Sequence, residues 1–491
     1  MNRPAKAPAL CPLLLVAVLL LLPTALLAND DGRSKNKAAG LASHEPTQPP
    51  PPVIGEEPAL KRHLQQHDIE AGRYTLEEIV EHGRDIFTAS FNTLDGAGRP
   101  GQTGTGAPRP RRTMPDNFNR ISAPDANACS GCHNLPAVGG GGDNVANVFV
   151  LAQAETFVDF KEGGTLRTVG NERNTPSLFG AGFIELLARE MTVDLHEQRR
   201  LALALAGGRG RPVTLQLITK GVRFGSLTAM PDGSVDATGV QGVDPDLVIR
   251  PFHQKGVAVS LREFSNRALL HHHGMLSAEM SGPDHDPDGD GYFNEITAGD
   301  VTAVVVFQAT LHAPAQIEPA TQYERDAVAR GRSLFDEILC SQCHVPALSL
   351  ASLQFSEPGP FNPADMTQAA DVNAPYRFDL SPFIGDLVQD DKGNFLIPAF
   401  TDLKRHDMGE ILNNETLVQA GVPTQTWLTR KLWGFASEPP FLHHGRATLI
   451  SEAILAHGGE AEGQRQAFVN LTYAQQDDLL EFLLTLRIED D

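Results

Sequence analysis

Cysteine is scarce in this chain, with five residues in 491. Cys11 sits ahead of an apolar N-terminal run. The other four fall in two short motifs, Cys129-Ser130-Gly131-Cys132-His133 and Cys340-Ser341-Gln342-Cys343-His344. No thiol is left for a structural disulfide, so the thiols serve another purpose. C-x-x-C-H is the attachment pattern of a c-type haem: two thiols join the vinyl groups and the adjacent imidazole becomes the proximal iron ligand. A zinc site of four cysteines would leave both histidines unexplained. Two covalently bound haem c groups are therefore expected.

Basic side chains are also in short supply. Forty Lys and Arg against 61 Asp and Glu give a net charge of -21. That balance argues against nucleic acid and anionic membranes as partners, and it suits a basic electron-transfer partner. Long apolar runs are missing after the N-terminus, so no later segment is expected to span a membrane. The one run present, residues 13–22, follows Arg3 and Lys6 and precedes Pro23-Thr24-Ala25-Leu26-Leu27-Ala28. This is the layout of a signal peptide cut after Ala28, and it implies export to the periplasm. An uncleaved anchor is the alternative, but it needs about 20 apolar residues. Loss of Arg3 and Lys6 with the signal takes the net charge from -21 to -23.

The pattern along the chain predicts a signal peptide (1–28), a disordered Pro-rich linker (29–73) and an N-terminal cytochrome c-like haem domain (74–207). A β-rich insertion with connecting helices (208–322) and a C-terminal cytochrome c-like haem domain (323–491) follow. The expected fold is mainly α, with the small β insertion between the two haem domains. Thr75 and Glu78 form a capping box ahead of the first long helix. An internal repeat supports the two-domain plan: His82-Gly83-Arg84-Asp85-Ile86-Phe87 matches Arg330-Gly331-Arg332-Ser333-Leu334-Phe335, and each copy precedes a C-x-x-C-H run. A Gly/Pro/Arg-rich insertion, 96–115, separates the first copy from its motif.

Methionine and histidine are both absent between His133 and Met191. The first haem thus lacks an ordinary sixth ligand in its own stretch, leaving an iron position where an oxidant could bind. Residues 213–218, 222–227 and 247–252 read as strands, with Pro231-Asp232-Gly233 as a turn. Helical periodicity over 261–270 ends at His271-His272-His273, of which one or two can point inward. The segment 284–295 matches the calcium-loop pattern, with Asp284, Asp286, Asp288, Asp290 and Glu295 as candidate oxygen ligands. A second register starts at Asp286 and ends at Thr297. For the second haem, His406, Met408, His443, His444 and His457 are candidate sixth ligands. His457 is preferred, because Gly458-Gly459 allows close backbone approach to a flat ring, and Met408 is next. Thr472 and Gln475 cap a closing apolar helix.

The motifs together resemble the di-haem oxidoreductase family, related to bacterial di-haem cytochrome c peroxidases. The resemblance rests on residues 331–346, His406-Asp407-Met408-Gly409, Leu432-Trp433-Gly434, Phe441-Leu442-His443-His444-Gly445-Arg446 and His457-Gly458-Gly459-Glu460-Ala461. It runs along nearly the whole mature chain. It implies one haem that meets peroxide and one that receives electrons from a small soluble donor of cytochrome or cupredoxin type. Two departures stand out. His457 falls where the peroxidases place a methionine, and two imidazoles generally lower a haem potential. The peroxidases' acidic segment after R-N-T-P is not recognisable, which leaves Glu185 and Glu190, with His272 and His273, as candidate acid/base residues.

The expected function is an exported di-haem peroxidase reducing peroxide at the N-terminal haem. The rivals are a non-catalytic electron-transfer cytochrome and a di-haem enzyme that oxidises a protein or organic substrate.

Overall fold

Gly83 and Gly331, the repeated glycines, are where two helix pairs cross. The computed structural model describes residues 55–97, 126–143, 145–148 (backbone only), 171–286, 291–386 and 388–488. Within it, a Cβ on Gly83 would collide with the carbonyl of Ala303, and one on Gly331 with the carbonyl of Asp478. Helix Leu76–Thr88 therefore lies directly on helix Ala298–Ala309, and helix Gln322–Glu337 on helix Tyr473–Leu484. One turn on, the repeated phenylalanines face the two motif histidines: Phe87 is 6.0 Å from His133 and Phe335 is 6.5 Å from His344, ring centre to ring centre. The repeat is thus a packed helix pair delivering a C-x-x-C-H turn.

Capping chemistry starts these helices where the sequence places it. Thr75 with Glu78, Thr297 with Asp300, and Thr472 with Gln475 each form reciprocal boxes that satisfy the first free N–H groups. Helix Ala181–Arg209 begins at Gly180, in the left-handed region at φ 74°, where a Cβ would strike Trp433. Its first turns are buried on all sides, from Ala181 through Arg189.

The mainly α expectation fails. Helix accounts for 36% and strand for 15%, in several small antiparallel sheets, and a plan of cytochrome c-like domains is not what the fold shows. Val213–Thr219, Val222–Ala229 and Val235–Asp236 form the anticipated insertion sheet. Residues 247–252 add only a single bridge, Phe252 to Ala258. Three further two-stranded sheets lie between the second motif and the closing helix: Leu348–Leu350 with Phe395–Ile397, Gln354–Glu357 with Tyr376–Asp379, and Arg405–Asp407 with Thr426–Leu428. Strands this short show too few alternations to read from sequence.

The linker expected to 73 ends earlier. Leu60, Leu64 and Ile69 are buried, and Gln66–Glu70 is helical. The buried Asp300 carboxylate ties this segment down. It accepts the Leu64 N–H at 2.9 Å, His63 Nδ1 at 2.6 Å and His82 Nε2 at 2.8 Å. The signal peptide, residues 29–54, most of the insertion after Gly96, and Asp288 and Asp290 lie outside the described residues. No helix among the described residues is long and apolar enough to cross a membrane.

Candidate haem sites

Each C-x-x-C-H run forms a single tight turn, Cys129–Gly131 and Cys340–Gln342, that aims both sulfurs and the following imidazole into one cleft. All four thiols are free of disulfides. Burial pushes Cys129 and Cys340 up to about 12, so neither is a reactive thiolate.

The first cleft has an empty volume of about 860 Å³ and is bounded by Phe87, the R-N-T-P segment Arg173–Pro176 and the turn at His272. His133 Nδ1 lies 3.1 Å from the Gly140 carbonyl, which leaves Nε2 facing the cleft. Burial pulls the imidazole down to about 4, so it is neutral and able to bind a metal. In the second cleft, about 1460 Å³, His344 Nδ1 lies 3.2 Å from the Phe400 carbonyl and is likewise pulled down to about 4 by burial. A carbonyl on Nδ1 fixes the tautomer and ring orientation of a metal-bound histidine. The donor set and the apolar walls fit haem.

The sixth-ligand candidates of the second cleft separate cleanly. His457 turns Nδ1 to the Ala453 carbonyl at 2.8 Å, and its ring lies 6.4 Å from that of His344. Met408 lines the same cleft. His406 is clamped between Asp402 and Glu460, each at 2.8 Å. Burial opposes its charge, but Asp402 holds the imidazolium up to about 11. His443 stacks on Trp427 with Nε2 2.8 Å from Asn414, and His444 Nδ1 accepts the Arg446 N–H. Among the described residues, one cluster, Cys343, Asp402 and His406, has metal-type spacing, and its Cys343 and His406 line this cleft.

The acid/base candidates fare differently. Glu185 is buried, accepts the Leu261 N–H at 2.8 Å and pairs with Arg189, so it anchors a helix start. Glu190 pairs with Lys220 and accepts the Ala351 N–H. Neither carboxylate lines the first cleft. The Glu190–Lys220 pair and the Glu185–Leu261 bond are long-range and leave no trace in local sequence, whereas Glu185–Arg189 is an i, i+4 pair on one helix. His273 does line it, but its Nδ1 is 2.8 Å from the Ala126 carbonyl and its Nε2 is 3.3 Å from Cys129 Sγ, so it steadies the attachment turn. His272 also lines it, from a π-turn over Leu269–His273, a distortion frequent at functional sites.

Sequence reasoning missed the cleft's other polar groups. His253, held at φ 69°, is a wall residue whose Nδ1 has no hydrogen-bond partner among the described residues. Arg173 is fixed by Glu415 and, at 2.8 Å, by Gln419. The R-N-T-P motif was the signal for Arg173, whereas His253 carried none. With His253 and His272 present, the first cleft does not lack imidazoles, as the stretch 133–191 alone suggested. In the calcium-type loop, Asp284 pairs with Asn294, Asp286 accepts the Gly291 N–H, and Glu295 turns inward to the Leu276 N–H.

Each of the two clefts thus offers the residues that would hold one haem. Residues 381–486 match the family described as "Di-haem oxidoreductase, putative peroxidase". The matched segment begins after both C-x-x-C-H runs, a narrower span than the motif resemblance covers, and it contains every sixth-ligand candidate of the second cleft. No protein of curated function matches the chain.

Proposed function

We propose that the chain is an exported c-type di-haem peroxidase. Cys129, Cys132 and His133 hold one haem and Cys340, Cys343 and His344 the other, through two thioether bonds and one histidine Nε2 each. Haem, when bound, supplies electron storage and peroxide reduction. The observation that carries the reading is the contrast between the clefts. The second brings together two imidazoles, His344 and His457, with ring centres 6.4 Å apart, which would hold a haem that passes electrons. The first sets His133 in a cleft shared with Arg173, Gln254 and His272.

The chain's own groups there match peroxide reduction. Arg173, immobilised by Glu415 and Gln419, places a fixed positive charge where oxygen gains negative charge. His272, which lines the same cleft, would move the proton between peroxide oxygens. Electrons arrive from a small soluble donor, in keeping with the acidic composition and a periplasmic location after cleavage at Ala28. Calcium at the 284–295 loop belongs to the same proposal, with Asp286, Asp288 and Asp290 as its oxygen ligands. The test is haem stoichiometry with spin state: replacing Cys129 and Cys132 by Ala should leave one haem, low-spin and indifferent to cyanide. Replacing Cys340 and Cys343 should leave the haem that binds cyanide.

A further inference from the structure

The wall between the two clefts contains a buried three-layer stack. Trp427 and His443 line the second cleft, Arg173 lines the first, and Gln254 lines both. The His443 ring lies on Trp427 at 3.5 Å and 16°. Lys255 Nζ is 3.4 Å from the same ring centre. Two groups this close cannot share one face, so Lys255 covers the face opposite His443. Lys255 is fully buried, and its Nζ reaches the carbonyls of Pro423, Thr424 and Thr426 at 3.0, 2.8 and 3.0 Å. Burial pulls this amine down to about 7. Three carbonyl acceptors nevertheless match the three donors of an ammonium, whereas a neutral amine would face one of them with its lone pair.

We propose that Lys255 is a positioning residue that keeps Trp427 from giving up an electron, so that this indole separates the clefts without becoming an oxidised site itself. A cation on the ring face is attracted to the neutral π-system and repelled by its radical cation. Arg173, 5.3 Å from the ring centre, adds a second positive charge, and Glu415, paired with Arg173 and 3.5 Å from Lys255, offsets one of the two. The net charge beside the ring is +1. Proton loss, the usual way to stabilise an oxidised indole, is blocked as well. Trp427 Nε1–H donates at 3.1 Å to the Leu412 carbonyl, which is no base, and the residue is 6% exposed. Oxidising equivalents generated in one cleft are thereby denied a resting place in the wall.

The oxidation concerned is loss of one electron from the indole to an added oxidant, which is reduced by one. The proposal depends on the peroxidase reading only for the natural oxidant, so the haem-loaded protein is treated in parallel with hydrogen peroxide and with a one-electron oxidant, hexachloroiridate. Oxygenated Trp427 is then quantified by peptide mass spectrometry, and organic radicals by electron paramagnetic resonance. The wild-type protein should retain Trp427 intact with either oxidant. Lys255→Gln, which keeps two donors for the carbonyls but no charge, should raise oxygenated Trp427 by roughly tenfold or more. Lys255→Arg should restore protection. Oxygenated or radical Trp427 in the wild type overturns the proposal, even if no variant folds. Equal resistance in Lys255→Gln overturns it too. Failure of the peroxidase reading would look different: no haem response to peroxide, with the hexachloroiridate contrast intact.

Discussion

The imidazoles of His344 and His457 stand 6.4 Å apart, ring centre to ring centre, with their planes inclined by 54°. Two imidazoles on one metal, at roughly 2 Å per metal–nitrogen bond, put their ring centres roughly 6 Å apart. Each ring directs Nδ1 to a backbone carbonyl, Phe400 for His344 and Ala453 for His457. The remaining nitrogens are therefore available to a single iron. Under the proposed function, this spacing suits the second cleft to the haem that passes electrons.

Replacing His457 by Met should keep this haem low-spin, introduce the near-infrared charge-transfer band of His/Met ligation and raise its potential. Optical spectroscopy and a redox titration read both effects. If spectrum and potential stay unchanged while Met408→Ala turns the haem high-spin, Met408 is the ligand.

Gly83→Ala and Gly331→Ala should each destabilise the protein by about 1–3 kcal/mol, because the added methyl meets backbone rather than a flexible side chain. Denaturant unfolding measures the loss. The variant at Gly83 should also disturb the spectrum of the first haem and the variant at Gly331 that of the second, since Phe87 and Phe335 follow on the same helices.

Much of this was legible in the sequence because it is local. The capping boxes, the C-x-x-C-H turns and the repeated glycines each declare themselves within a few residues. The sheets after His344 were not legible, since strands such as Arg405–Asp407 span three residues and depend on a partner some twenty residues away. Glu185 and Glu190 attracted attention as carboxylates near R-N-T-P, yet their partners, Leu261 and Lys220, come from other elements. His253 and His272 reach the first cleft only through tertiary folding, so the apparent shortage of ligands after His133 was a property of one stretch alone.

Stability should fall as the solution becomes more alkaline. The hydrogen bond to Asp300 raises the His63 pKa above its ordinary 6.5, with burial opposing. A raised value means the contribution is fully present below 6.5 and is lost as pH rises through the folded-state value. Asp300 acts in the opposite direction at acid pH. Burial opposes its ionisation, but the bonds from His63 and His82 hold its pKa below 3.8, and its contribution is lost as pH falls through that depressed value. Unfolding midpoints between about pH 5 and about pH 9 should show a steeper alkaline decline in the wild type than in His63→Gln, where His406, also held above its ordinary value, still contributes.

Chelation should lower the melting temperature if calcium binds only the folded loop, by mass action. No shift with chelator, together with no calcium by elemental analysis, would make 284–295 an acidic turn closed by the Asp284–Asn294 pair.

The central claim is that the His133 haem meets peroxide while the His344 haem delivers electrons. A spectroscopic redox titration, with peroxide added at each oxidation level, tests it most directly. The account predicts that the ferric protein contains one cyanide-binding haem and one low-spin haem. It also predicts that peroxide reoxidises the low-spin haem of the reduced protein, and that this reoxidation is lost when Cys129 and Cys132 are replaced. Two low-spin haems that ignore both cyanide and peroxide at every oxidation level would contradict it and leave an electron-transfer cytochrome.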